Sequence, residues 1–549
     1  MNTTTNAFVA ESHQAQARQQ YVDPRRQMRP VSRHLARAVA RHLEGDLQGA
    51  LEELQKAIDK GEKLPEIYQA LGHVLYELGR YEPSAAAFLE LAGLEPNNAD
   101  AWFNAAVCAE KLERWEEAAE RYKRAASCDS GRSEAWLGLG LCLLRINMPK
   151  PALAAFEQAL SQRPDWETAW LGKAVALQQA GQADAAQAIY QKILQSNPRS
   201  EVCLTNLVVL GLEQQRYDDV RRWAEQLLSL NPDSAVALEG LAAWAFAHED
   251  YDLAAKCLTT LTTLVPDHFE GWYNLGLAHQ KAGRLEQAAA AYQEAINLRP
   301  NAQALTNLGV VRQQLGDHEG ARTAFQQAVK LDPTGTAALW NLGLALEKAG
   351  EWESAAQAYT ELAAKDPQSE QAWFRLGVMQ IALQQYARSA ESFERCLKLR
   401  PNWLEAQMNL ALAYWKQHKL AEAQAVYEQA LENDPAALDA IRGLAALALE
   451  QGRAEAALAY HERMIELGER SLEVLYNAGV LLQQAGRLEA AAARYREALS
   501  LAPEFAEALL NLGHVLRALG QEKEARACWS KALEAKPELA LDYFAPARG

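Results

Sequence analysis

"WYNLG" at residues 272–276 returns as "LTNLG" at 305–309, "LWNLG" at 339–343 and "LLNLG" at 509–513, each time with a polar Asn between large apolar neighbours. The recurrence is periodic. Pro164, Pro198, Pro232, Pro266 and Pro300 follow one another at intervals of 34 residues, and Pro333, Pro367, Pro401, Pro435, Pro503 and Pro537 continue the series after one residue is dropped between Pro300 and Pro333. Ser130 and Glu469 stand where the series calls for a proline. A fixed period of this length marks a solenoid. It overrides the expectation that 549 residues, 49% of them hydrophobic and 23% charged, divide into several independent globular domains.

Each period has the texture of two helices. Trp272, Leu275 and Gly276, then Ala288, Tyr292 and Ala295, then Pro300 recur with other fillers as Trp136, Leu139, Gly140, Ala152, Phe156 and Ala159. Apolar residues three, four and seven apart mark helix faces. Turn glycines such as Gly79, Gly181, Gly283, Gly316, Gly350, Gly452, Gly486 and Gly520 separate the two runs, and the proline stops the second helix. The small residue at the Gly276 position (Gly309, Gly343, Gly377, Ala411, Gly479, Gly513) lets the two helices approach. The aromatic at the Tyr292 position (Phe88, Tyr122, Phe325, Tyr359, Phe393, Tyr427) fills the gap to the next hairpin.

These residues, recurring together in register, resemble the tetratricopeptide repeat family. The resemblance covers residues 29–537 as about fifteen units, preceded by a polar tail at 1–28 and followed by a capping segment at 538–549 that carries Tyr543 and Phe544. It implies an all-α, right-handed α-solenoid of helix hairpins whose first helices line a concave, peptide-binding groove. Stability in such arrays is nearly a sum over neighbours. Repeats six and seven depart from the pattern, with Val208 and Ala242 at the glycine position and Ala224 and Leu258 at the aromatic one. Looser packing and the greatest flexibility are therefore expected over 199–266, unless Trp223 and Trp244 repack the gap. Repeat one keeps Ala50, Leu54 and Ala57 and reads as a degenerate cap.

Catalytic signatures are missing: no phosphate-binding GxxxxGK[ST] loop, no HExxH, no calcium loop and no GxSxG elbow. Gly138 and Gly140 in "GLGLCLL" lack the third glycine of a dinucleotide fingerprint and a preceding strand. His461 takes an aromatic core position, and Trp102, Trp136, Trp170, Trp272 and Trp373 share one repeat position that reads as core. The seven cysteines are scattered without a CxxC pair, as free thiols in a reducing compartment would be. No apolar run has the length of a signal peptide core or a membrane span. A cytoplasmic protein without catalytic activity, cofactor or metal is expected. The formal charge of -16 disfavours nucleic acid and anionic membranes as partners. One local exception is Arg29, Arg33, Arg37 and Arg41, four apart on one helix face, a patch suited to an acidic partner.

The recurring Asn lies two residues after the Trp position, off the packing face. It appears as Asn104, Asn206, Asn274, Asn307, Asn341, Asn409, Asn477 and Asn511, in eight of the fifteen units, with Arg375 taking the place once. Asn is a poor helix former, so propensity does not select it. Its amide offers a donor and an acceptor to one residue of an extended backbone. The arrays of O-linked N-acetylglucosamine transferases carry a similar ladder, and this chain resembles them while lacking a transferase domain. The chaperone-binding type grips a terminal carboxylate, and Asn341 and Arg375 match two of its positions, but Gln371 and Val310 do not.

The resulting expectation is a scaffold or adaptor. It would bind an extended peptide or partner protein, an acidic one included, through Asn274, Asn307, Asn341, Arg375 and Asn409, with Asn477 and Asn511 further along. Lys281, Lys348 and Lys416 would lend charge, and Leu277, Val310, Leu344, Val378 and Leu412 an apolar wall. Alternatives remain open: the asparagines link adjacent repeats, or the chain is a structural or substrate-recruiting subunit, including one for a glycosyltransferase on another chain.

Overall fold

A computed structural model describes residues 32–538, which form thirty α-helices in fifteen antiparallel hairpins. Arg29, the tail at 1–28 and the segment with Tyr543 and Phe544 lie outside the described residues. Hairpin 1 pairs Arg33–Leu43 with Leu47–Asp59, and hairpin 15 pairs Ala506–Ala518 with Glu522–Ala535. The chain divides into two compact units, Met1–Gly283 and Arg284–Gly549, so the boundary falls in the turn of hairpin 8.

Every hairpin turn contains one residue at positive φ. Nine of these are glycines, and the other six are Glu113, Asn147, Gln215, Glu249, Gln384 and His418, near +58°. The left-handed conformation is thus imposed by the hairpin and only eased by glycine, since a Cβ there costs about 1–2 kcal/mol. Where a proline follows, the second helix ends two residues before it, as at Gln162 with cap Arg163 before Pro164.

Where a hairpin has both, the second-helix ring lies on the first-helix glycine. A Cβ added to Gly309, Gly343 or Gly377 would meet Phe325, Tyr359 or Phe393 at 2.5, 2.6 and 2.7 Å. The same ring also reaches the next hairpin: Phe156 lies under both Gly140 and Gly172. Successive first helices touch, as Ala302–Gln314 does Thr336–Lys348, more closely than successive second helices do. In each unit the first helices therefore form the inner row.

The tryptophans at the shared repeat position are half-buried rather than core. Each indole N–H donates to a carbonyl six residues earlier: Trp102 to Pro96 at 3.0 Å, Trp136 to Ser130 at 3.1 Å, Trp170 to Pro164 and Trp272 to Pro266 at 2.8 Å, Trp373 to Pro367 at 3.1 Å. The bond ties the residue's own helix to the end of the preceding one. His461 is buried, its Nδ1 2.8 Å from the Ala457 carbonyl oxygen. Trp223 fills the gap in hairpin 6, whereas Trp244 does not. Trp244 stacks on His248 at 4.5 Å between ring centroids and donates to Asp218 at 3.1 Å.

Candidate functional site

The ladder positions lie on the inner row, each half-buried, and the hydrogen bonds of Asn307, Asn341, Arg375, Asn409 and Asn511 divide these five into two kinds. The two kinds differ in the ring sixteen residues earlier, fifteen for Asn307, on the preceding second helix, although Asn206 follows Tyr190 at that spacing without bonding to it. Where that ring is Tyr, its hydroxyl first bonds back to its own hairpin. Tyr122 donates to Glu110 at 2.7 Å, Tyr190 to Gln178 at 3.4 Å, Tyr359 to Glu347 at 3.0 Å and Tyr495 to Gln483 at 2.8 Å, always twelve residues earlier. Burial pushes the phenols of Tyr122, Tyr359 and Tyr495 up, so each keeps its proton and donates.

At three places the next hairpin's ladder residue bonds to the preceding hairpin's polar groups. Asn307 Nδ2 donates to the Tyr292 hydroxyl at 3.4 Å. Arg375 Nη1 lies 2.9 Å from Glu347 Oε1, so Tyr359, Glu347 and Arg375 form one partly buried chain across two hairpins. Asn511 Nδ2 donates to the hydroxyl of Tyr476, one hairpin back, at 3.1 Å. These three rungs tie repeats together, and the charge of Arg375 is met by a carboxylate of the same protein.

The second kind follows Phe. Phe325 precedes Asn341 and Phe393 precedes Asn409, and neither ring has a hydroxyl to offer. The two amides turn to their own helix instead, Asn341 Nδ2 to the Ala337 carbonyl at 3.0 Å and Asn409 Nδ2 to the Glu405 carbonyl at 2.7 Å. Each keeps its amide oxygen and one N–H without a partner among the described residues. Between them on the inner row lie half-buried Trp340, Leu344, Phe374, Val378, Met408 and Leu412, with Phe374 stacked on Trp403 at 4.4 Å. Lys348 and Lys416 are exposed at the ends of their helices, as is Lys281 in the first unit. Asn274 is half-buried on Phe269–Lys281 and Asn477 on Leu472–Gln484, following His461.

Sequence reasoning missed the Tyr and Glu/Gln pairing, though a signal was present. Glu110, Gln178, Glu347 and Gln483 precede tyrosines by twelve residues, while Tyr76, Leu144 and Ile381 precede Phe88, Phe156 and Phe393. Gln313 before Phe325 and Trp415 before Tyr427 break the rule. Of the arginine patch, Arg33 and Arg37 are exposed and Arg41 lies 3.6 Å from Asp46. Among the described residues no group of His, Cys, Asp or Glu is placed to hold a metal ion, and no helix is long and apolar enough to cross a membrane.

The Tetratricopeptide repeat profile matches residues 70–133, 244–304, 306–370, 341–402 and 408–471, and further profiles of the same repeat match 143–203, 177–244, 479–520 and 506–539. No curated protein matches the chain. Among solved structures it is similar to YrrB, "a TPR protein with an unusual peptide-binding site", at 18% identity over 33% of this chain and 95% of that one, TM-score 0.31. It is also similar to a chain of Naa15/Naa10 bound to HypK-THB, at 13% identity over 92% and 93%, TM-score 0.33. A third is a chain of the APC/C hetero-tetramer Cut9-Hcn1, at 16% identity over 88% and 97%, TM-score 0.31.

Proposed function

The chain belongs to the tetratricopeptide repeat family, and from that premise we propose that it is a protein-interaction scaffold without chemistry of its own. It holds an extended segment of a partner along the inner row of hairpins 10–12. The observation that carries this reading is the division of the rungs. Asn341 and Asn409 retain amide groups that repeat packing does not consume, and they flank the half-exposed bed of Trp340, Phe374, Val378 and Leu412. Neighbouring helices pack roughly 8–10 Å apart and an extended chain advances about 3.3 Å per residue, so the two amides engage ligand residues about five or six apart. Apolar side chains of the ligand lie on the bed between them. Lys348 and Lys416, exposed beside the rungs, favour acidic residues at the segment's edges.

An array of immobilised peptides of about a dozen residues, probed with the full chain and with Asn341→Ala/Asn409→Ala, tests the reading. The variant is expected to bind its best peptides about five- to a hundredfold more weakly, the worth of two backbone hydrogen bonds. Its melting temperature should hold or rise, because Ala is the better helix former. Asn307→Ala/Asn511→Ala is expected to do the reverse, melting lower while binding normally. Equal peptide binding by the parent and Asn341→Ala/Asn409→Ala would sink the proposal.

A further inference from the structure

The opening helix, Arg33–Leu43, departs from its fourteen counterparts at two places. Two residues before the positive-φ turn residue, every other hairpin has a polar side chain or Ala, such as Glu77, Lys111, Gln179 or Ala382, whereas hairpin 1 has Leu43. Leu43 is 82% exposed and Val39, one turn before it, 47%. With exposed Ala36 and Ala40 they make an apolar stripe three and four residues apart that nothing in the described residues covers. Twelve residues before the turn residue, the other hairpins bury a small or branched residue such as Ile67, Ala101, Ala304 or Ala406, whereas hairpin 1 has exposed Arg33. A guanidinium there is incompatible with another repeat stacked on this end, a second copy of the chain included.

The helix has three Arg, two His and no Asp or Glu, in a chain whose formal charge is -16. His34 is spent on Glu53 at 2.9 Å, His42 on Glu77 at 3.1 Å and Arg41 on Asp46. Arg33 and Arg37 stand one turn apart beside the stripe, with no ion pair among the described residues. The chain's own first 31 residues carry four arginines against Glu11 and Asp23, the same sign of charge as the helix, and so do not complement it.

We infer that the Arg33–Leu43 helix is a second docking surface, separate from the inner row, for an acidic amphipathic helix of a partner protein. The partner sets an apolar stripe on Val39 and Leu43 and its carboxylates against Arg33 and Arg37. The stripe has no aromatic residue to anchor it in a lipid interface, so a protein helix fits it better than a membrane does.

The test uses the full chain and a fluorescent Leu/Glu helical peptide of about fourteen residues, enough to span three to four turns. Its Leu/Lys counterpart and vesicles containing phosphatidylserine are run in parallel. Anisotropy should rise with the acidic peptide alone and fall back with added salt. Arg33→Ala/Arg37→Ala should weaken binding about tenfold, as expected for two solvent-facing ion pairs, and Leu43→Ser should weaken it with the melting temperature unchanged. Asn341→Ala/Asn409→Ala should bind the peptide like the parent, which separates this surface from the inner row. No binding of the acidic peptide, undiminished binding by the first two variants, loss in the asparagine variant, or preference for the vesicles would each overturn the inference.

Discussion

Hairpins 6 and 7 and hairpins 9 to 11 solve one packing problem in two ways. In hairpins 9, 10 and 11 the hole is a first-helix glycine and the knob is the ring of Phe325, Tyr359 or Phe393. In hairpin 6 the partners change size: Val208 takes the glycine position and Ala224 the ring position, both fully buried. The missing volume is supplied one residue earlier by Trp223, 5% exposed, and the hole moves three residues along to Gly211, where an added Cβ would meet Val220 at 2.6 Å and Trp223 at 3.0 Å. Gly240 opens hairpin 7 to Val208 in turn, at 2.7 Å. Within the span 199–266, where looser packing is expected, Trp223 thus fills the gap of hairpin 6. A solenoid junction requires filled volume, and knob and hole can migrate together by a residue and a turn.

Removing the migrated knob should have the largest effect. Trp223→Ala is expected to cost about 3–5 kcal/mol, the range for emptying a buried ring site. Because contacts in the array are local, the opening should stay near hairpins 6 and 7. Cys203 and Cys257 are buried there, and Cys396 is buried in hairpin 11. Burial pushes the Cys203 thiol up to about 11 and that of Cys396 up to about 12, so each reacts with an alkylating reagent only once its hairpin opens. Trp223→Ala should speed labelling of Cys203 and Cys257 and leave Cys396 unchanged; equal acceleration at all three would mean the array opens as one.

Exchanging the two solutions tests whether they are equivalent. Gly343→Val pushes a side chain into the Tyr359 ring and should cost about 1–3 kcal/mol by overpacking. Adding Tyr359→Ala copies the Val208 and Ala224 pairing without its Trp and should leave a cavity rather than rescue stability. Restoration needs the migrated pair as well, Ala358→Trp at the residue matching Trp223 and Leu346→Gly at the one matching Gly211, and thermal melts of the stepwise variants should show non-additivity only when all four changes are present. Simple addition of the four effects would show that knob and hole do not act together.

The smallest difference lies in the turns. Hairpins 6 and 7 turn on Gln215 and Glu249, and hairpins 9 and 10 on Gly316 and Gly350. Hairpin 11, which carries Cys396, turns on Gln384 as hairpins 6 and 7 turn on Gln215 and Glu249. Left-handed residues with a Cβ cost about 1 kcal/mol each, so in mild denaturant Gln215→Gly/Glu249→Gly should slow labelling of Cys203 and Cys257 relative to Cys396, and Gln384→Gly should slow that of Cys396. Unchanged labelling in both variants would show that the turns do not set local stability.

The periodic prolines, the apolar spacing and the turn glycines made the hairpins legible in the sequence, because each reports on bonds and sterics within a few residues of itself. The ladder was legible as a list of positions on the first helices. What each rung does was not legible, because the decision lies with a residue about half a period away. The same Asn is a strut after Tyr292 and a free rung after Phe325 or Phe393. Arg375 read as the charged rung that would draw an anionic ligand, yet Glu347 in the preceding hairpin already holds it.

By itself, then, the sequence determined that this is an all-α array of about fifteen helix hairpins broken at glycine turns and prolines, since periodicity and chain-breaking are local. Only the tertiary structure decided which of its polar side chains are spent between neighbouring hairpins, and that Trp223 rather than Trp244 fills the irregular gap. Both turn on which groups lie within hydrogen-bond or van der Waals reach once helices stack, and identical residues at identical register positions then meet different partners.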